Sequence, residues 1–142
     1  MIRVDAYISE LVSMLKAQFG VRLCYVGLQG SYLRGEATDS SDIDIMVVLD
    51  ELSVADLDDY RAIIESLGDF DKSCGFICSK KDLENWNPLE IFNLLHSTKD
   101  YFGILGMLVP AYTEQDIRNF LKFSINNLSF SVFDNNLFFA SV

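Results

Sequence analysis

Residues 28–50, LQGSYLRGEATDSSDIDIMVVLD, constrain the fold more than any other stretch of the chain. One apolar run ends at Gly30-Ser31, and ten residues later Asp42-Ile43-Asp44 open a second apolar run. In a strand successive side chains alternate faces, so Asp42 and Asp44 point the same way, about 7 Å apart along the backbone. Ile43, Ile45, Val47 and Leu49 then point the other way, into a core. Two like charges on one face repel, and a divalent cation between them relieves that cost. Mg²⁺ takes one or two carboxylates together with substrate phosphates.

The Gly-Ser pair supplies the complementary half. Gly30 lets backbone approach a ligand closely. Ser31 is placed to cap a short helix over residues 32–35, and free N–H groups at a helix start attract phosphate oxygens. An acidic, Ser-rich turn before an ordinary strand uses the same residue types. What sets this stretch apart is the order: Gly-Ser at a strand end, a spacer, then Ser-Asp-x-Asp opening an apolar strand.

That combination, Gly30-Ser31-x10-Asp42-x-Asp44, resembles the signature of the polymerase-beta-like nucleotidyltransferase superfamily, in its minimal and antibiotic-modifying types. The resemblance spans residues 1–100. It implies Mg²⁺-dependent transfer of a nucleoside monophosphate from a nucleoside triphosphate, with ATP the expected co-substrate. By the same resemblance Asp42 and Asp44 are the catalytic metal ligands, and Gly30 and Ser31 bind the nucleotide. Such families also bring a third carboxylate from the next strand. Here that position is expected near Gly75, where no acid stands. Asp69 and Asp71 are the nearest alternatives, and Asp71 is about 13 Å away along the strand.

Periodicity places the rest. Ile8, Leu11, Val12, Leu15 and Phe19 line one face of a helix over 2–19, stopped by Gly20. Strands follow over 21–28, 42–49 and 70–79. The second is apolar on both faces beyond Asp44, as a strand covered on both sides must be. Ser53 caps a helix over 54–67 with Leu57, Tyr60, Ile64 and Leu67 as its buried stripe. Residues 82–86 read as a polar connection, Pro88 starts a helix to about Ser97, 98–112 are irregular, and a last helix begins at Thr113.

The expected class is α/β (α+β): a small mixed β-sheet with helices packed on one side, plus C-terminal helices. Residues 1–100 form the nucleotidyltransferase-like domain. Residues 101–142 form a helical extension, read as the start of a truncated second domain.

A net charge of −10 argues against a duplex nucleic acid partner, which needs a basic footprint. No apolar run reaches the length of a membrane span, and the first residues lack a signal-peptide core, so a cytoplasmic setting is expected. Cys74-x3-Cys78 is too sparse for structural zinc, which takes four ligands. Arg34, Lys72, Lys80 and Lys81 are secondary candidates for phosphate contact. His96, Trp86 and Tyr101 read first as structural.

The C-terminal stretch carries Phe130, Phe133, Phe138 and Phe139 with Asp134 as its one charge. It continues the last helix or turns as a hairpin at Asp134-Asn135-Asn136. Surplus aromatic surface marks a contact with another subunit or a separate protein chain. Two functions follow. One is a nucleotidyltransferase acting on a hydroxyl of a small molecule or protein. The other is a catalytically impaired nucleotide-binding domain, or an antitoxin-like domain that binds a partner.

Overall fold

The computed structural model describes residues 2–140, with side chains described through Asn127. Helix α1 (Val4–Phe19) leads through a 3₁₀ turn into strand β1 (Leu23–Gln29) and short helix α2 (Gly30–Arg34). Strand β2 (Ile43–Leu49), helix α3 (Val54–Leu67) and strand β3 (Ser73–Ser79) form a βαβ unit. Helices α4 (Lys80–Glu84) and α5 (Pro88–Ser97), strand β4 (Lys99–Phe102) and helix α6 (Glu114–Ala140) complete the chain.

The four strands lie in the order β3-β2-β1-β4. β2 runs parallel to β3 and antiparallel to β1, and β1 is antiparallel to β4. The sheet is therefore mixed, as expected, and β2 is an interior strand. Its alternation serves both faces. Ile43, Ile45, Val47 and Leu49 pack with Ile8, Leu11 and Leu15 of α1 and Ile63 and Ile64 of α3. Met46 and Val48 pack with Tyr25, Cys78, Leu83, Ile91, Leu94 and Leu105. Helices thus cover both faces and not one. Leu83 of α4 and Ile91 and Leu94 of α5 are buried in this second cluster.

Several boundaries shift. Val21 lies in the 3₁₀ turn, fully exposed, and β1 starts two residues later. Residues 70–72 form a second 3₁₀ turn, so β3 begins at Ser73. The expected connection at 82–86 is largely α4, started by a capping box between Ser79 and Asp82 and anchored by fully buried Leu83. Within 98–112, residues 99–102 form β4 at the sheet edge. In α3 the buried pair is Ile63 and Ile64, while Leu57 faces solvent. Helix α6 runs on to Ala140 as a helix, in place of a hairpin at 134–136. Phe130, Phe133, Phe138 and Phe139 lie outside the described side chains. Among the described residues no helix is long and apolar enough to cross a membrane.

The end of the sheet where β1 starts and β2 stops is held by charge. Arg22 Nη1 and Nη2 donate to Asp56 Oδ1 and Oδ2 at 2.9 and 2.7 Å, and Nε donates to Asp50 Oδ1 at 3.2 Å. Asp56 also accepts from the Ser53 backbone N–H at 2.9 Å, closing the capping box of α3. A bidentate guanidinium–carboxylate pair is among the stronger ion pairs. Asp56 is only 5% exposed, so it is buried with its partners in place.

The Arg22 guanidinium, followed by the Ser53 N–H, holds the Asp56 carboxyl well below the usual carboxylate range. A carboxylate with a depressed folded-state pKa adds stability above its unfolded value, about 3.9, and loses it as pH falls further. Asp56→Asn should therefore lower the urea midpoint at pH 7. It should also flatten the loss of stability between about pH 4 and pH 2. Equal midpoints for variant and wild type at pH 7 would show that the pair contributes nothing.

Candidate active site

The opposite end of the sheet has no such compensation. Antiparallel pairing sets Gln29, the last residue of β1, directly across from Asp44 on β2. The chain then turns at Gly30, φ +70°, into α2. A Cβ built on Gly30 would lie 1.9 Å from Asp44 Oδ2 and 2.8 Å from its Cγ. The carboxylate of Asp44 therefore rests against the first residue of the Gly-Ser turn. Two features demand glycine at position 30: a left-handed backbone that L side chains rarely adopt, and an acidic side chain filling the space.

Ser31 lies inside the first turn of α2, not at its N-cap. The cap position belongs to Gln29, which makes no capping hydrogen bond. The expected helix at 32–35 thus begins two residues earlier, because the positive φ of Gly30 already starts the turn. Ser31 is half-buried, and its hydroxyl makes no hydrogen bond among the described residues.

Asp42 is exposed and Asp44 half-buried. Neither carboxylate has a hydrogen bond or ion pair among the described residues. Both stand on the face of β2 that carries Met46 and Val48, opposite the one occupied by α1 and α3. The loop that delivers them is pinned by Thr38, whose N–H donates to Ser41 Oγ at 2.8 Å, and by Lys72 Nζ on the Asp39 carbonyl at 2.6 Å. Lys72 is thus occupied, and Arg34 pairs with Glu36 at 2.7 Å. Lys80 and Lys81 sit in α4, at the far end of β3.

No third acid joins this pair: among the described residues no group of three His, Cys, Asp or Glu side chains can hold a metal. Register explains why the expected position fails. β3 pairs Cys74 with Asp44 and Gly75 with Ile45, so Gly75 belongs to the row beside the apolar face. Gly75 also has φ +117°, and a Cβ there would lie 1.9 Å from the Ile45 carbonyl oxygen. No side chain fits at position 75, acidic or otherwise. Asp71 is in the 3₁₀ turn before the strand, and Asp69 precedes that turn with φ 51°.

The remaining chemistry-bearing side chains lie elsewhere. His96 Nδ1 is 2.8 Å from the Phe92 carbonyl, in a groove of ≈ 700 Å³ between α5, residues 105–112 and α6. None of the groove's lining residues belongs to the 28–50 stretch. Trp86 packs on Phe76 with ring centroids 5.7 Å apart, and the Tyr101 hydroxyl donates to Asp5. Sequence reasoning passed over Gln29, whose position beside Asp44 becomes evident only from strand register.

The donor set is oxygen only: Asp44 on β2 and Asp42 just before it, with no partners among the described residues. That chemistry fits a hard divalent cation, which completes its shell with water and phosphate oxygens.

Gly30→Ala should cost about 1–2 kcal/mol for a side chain in the left-handed region, and it should push the Asp44 carboxylate aside. Pairing it with Asp44→Ala removes the collision, so Gly30→Ala should cost less thermal stability in the Asp44→Ala background than in the wild type. Strict additivity in that double-mutant cycle would mean the two residues are not in contact.

Residues 8–100 match the nucleotidyltransferase domain family. A candidate protein adenylyltransferase of Methanocaldococcus jannaschii is 39% identical over 75 residues, 51% of this chain and 70% of the relative. The protein adenylyltransferase MntA of Thermococcus cleftensis is 44% identical over 49 residues, 34% of this chain and 48% of that protein. Among solved structures, the spectinomycin adenyltransferase of Enterococcus faecialis with ATP and spectinomycin superposes with TM-score 0.60 at 17% identity. That superposition covers 93% of this chain and 68% of the other. A Shewanella oneidensis complex of a tri-AMPylated HEPN toxin with an MNT antitoxin matches with TM-score 0.51 at 15% identity, covering 94% of this chain and 98% of the other. At those identities the structures show a shared fold, while the match over 8–100 shows descent: the chain belongs to the nucleotidyltransferase domain family.

Proposed function

We propose that this nucleotidyltransferase moves AMP from ATP to a hydroxyl of a protein, with Asp42 and Asp44 as its catalytic carboxylates. The observation that carries the reading is the contact between Gly30 and Asp44, which sets the Gly-Ser turn against the strand that carries the carboxylate. Sequence likeness to protein adenylyltransferases supports the adenylyl group and a protein acceptor. The three cysteines are all unpaired, which suits a reducing, cytoplasmic setting.

The residues present define a division of labour. Asp42 and Asp44 would hold Mg²⁺, which when bound offsets the charge of the phosphates and of the departing pyrophosphate. Gly30 leaves room for phosphate oxygens to reach the backbone of the turn, and the Ser31 hydroxyl is available to donate to one of them. Ile43 and Ile45, fully buried or nearly so, fix the strand so that the carboxylates do not move with the loop. Transfer of this kind is mainly positioning plus charge neutralisation, so few other groups are required.

A second reading follows from β3, which carries no carboxylate. Without a third acid the domain would bind nucleotide, or a partner chain, and transfer nothing. Residues 101–142 would then serve the partner, since Leu121, Phe123 and Ile125 of α6 are exposed.

Incubation with Mg²⁺ and ATP labelled at the α-phosphate, in a protein extract of the source organism, separates the two. Transfer should label a protein band, and Asp42→Asn and Asp44→Asn should each reduce the label at least 100-fold, about 2.7 kcal/mol of barrier. Circular dichroism should remain that of the wild type. Saturable ATP binding with no labelled protein would favour the second reading, and undiminished labelling in the double variant would refute the site.

A further inference from the structure

Asp44 has one neighbour on each side across the sheet. On the β3 side it pairs with Cys74, in a strand with no carboxylate. On the β1 side it pairs with Gln29. Directly opposed residues of an antiparallel pair share a face, with Cβ atoms about 4.5–5.5 Å apart. Gln29 and Asp44 therefore project from the same face of the sheet. The Gln29 carboxamide is also held in place: Gln29 Nε2 donates to Thr98 Oγ1 at 2.9 Å, and both residues are half-buried. One end of the carboxamide is thus engaged by Thr98, between α5 and β4. The other end has no partner among the described residues.

A clamped amide with a vacant hydrogen-bonding atom, on the same face as the carboxylate of the adjacent strand, suits a hydrated cation. Mg²⁺ gives up its water reluctantly and keeps several molecules when only one or two carboxylates bind it. Those waters need acceptors around them, and partners at this outer distance set metal affinity by about 10–100-fold. We propose that Gln29, oriented by Thr98, is a positioning residue of this site. Its free carboxamide oxygen accepts a hydrogen bond from a water of the cation held by Asp44, on the β1 side of that residue. The inference rests on reading Asp42 and Asp44 as the cation site.

Mn²⁺ titrated into the whole chain with a non-hydrolysable ATP analogue, followed by the electron paramagnetic resonance of free Mn²⁺, tests this without turnover. Gln29→Leu keeps the length and removes both polar atoms, and should weaken Mn²⁺ binding about tenfold. Thr98→Val should weaken it less, and Gln29→Glu should tighten it above wild type. The thermal midpoints without metal should not follow that order, whereas a purely structural role would make stability and affinity fall together. Wild-type Mn²⁺ affinity in both Gln29→Leu and Thr98→Val, alongside its loss in Asp44→Asn, would overturn the role of Gln29 alone. Retention of affinity in Asp44→Asn would overturn the cation site and this inference with it. If Gln29→Leu fails to fold, Gln29→Glu and Thr98→Val decide: affinity no higher in the first and unchanged in the second refutes the proposal.

Discussion

The contact between the Asp44 carboxylate and Gly30 is the constraint on which the proposed site depends. It joins a strand to a turn that precedes it by more than ten residues, and it requires three conditions together. β1 and β2 must pair in a register that opposes Gln29 to Asp44. The backbone at Gly30 must be left-handed, and position 30 must carry no side chain. Failure of any one separates the turn from the carboxylates.

The two ends of the sheet follow opposite electrostatic logic. At one end Asp50 and Asp56 are neutralised by Arg22, and the charges lock β1, β2 and α3 together. At the other, Asp42 and Asp44 have no partner among the described residues. Like charges on one face repel, and the strand that carries Asp44 is anchored by the core beneath it. Residues 45–49 of β2 are all buried, in two separate clusters. One end is thus closed by its own ion pairs, while the other leaves two carboxylates open to a cation.

Much of this was legible in the sequence for physical reasons. β2 announces itself as an interior strand because both faces beyond Asp44 are apolar. Ser53, Pro88 and Gly20 mark helix ends through local backbone chemistry, which needs no knowledge of the fold. Gly30, Ser31, Asp42 and Asp44 could be grouped because the spacing alone brings a strand end next to a strand start. What stayed hidden depends on neighbours distant in sequence. β4 is four residues, Lys-Asp-Tyr-Phe, too short to show a period, and it exists because β1 offers it an open edge. Helix α4 is five residues whose polarity resembles a loop until Leu83 is seen to be buried. The coverage of both faces, the tight approach of Gly75 to Ile45 and the place of Gln29 beside Asp44 all come from register, which a single strand's sequence does not specify.

The most direct test of the account is anomalous diffraction from crystals grown with Mn²⁺ and a non-hydrolysable ATP analogue. The account predicts an Mn²⁺ peak within about 2.1–2.3 Å of carboxylate oxygens from both Asp42 and Asp44. The triphosphate should lie against the backbone of Gly30 and Ser31. Nucleotide bound at another place, or Mn²⁺ bound with both carboxylates outside its coordination shell, would contradict it.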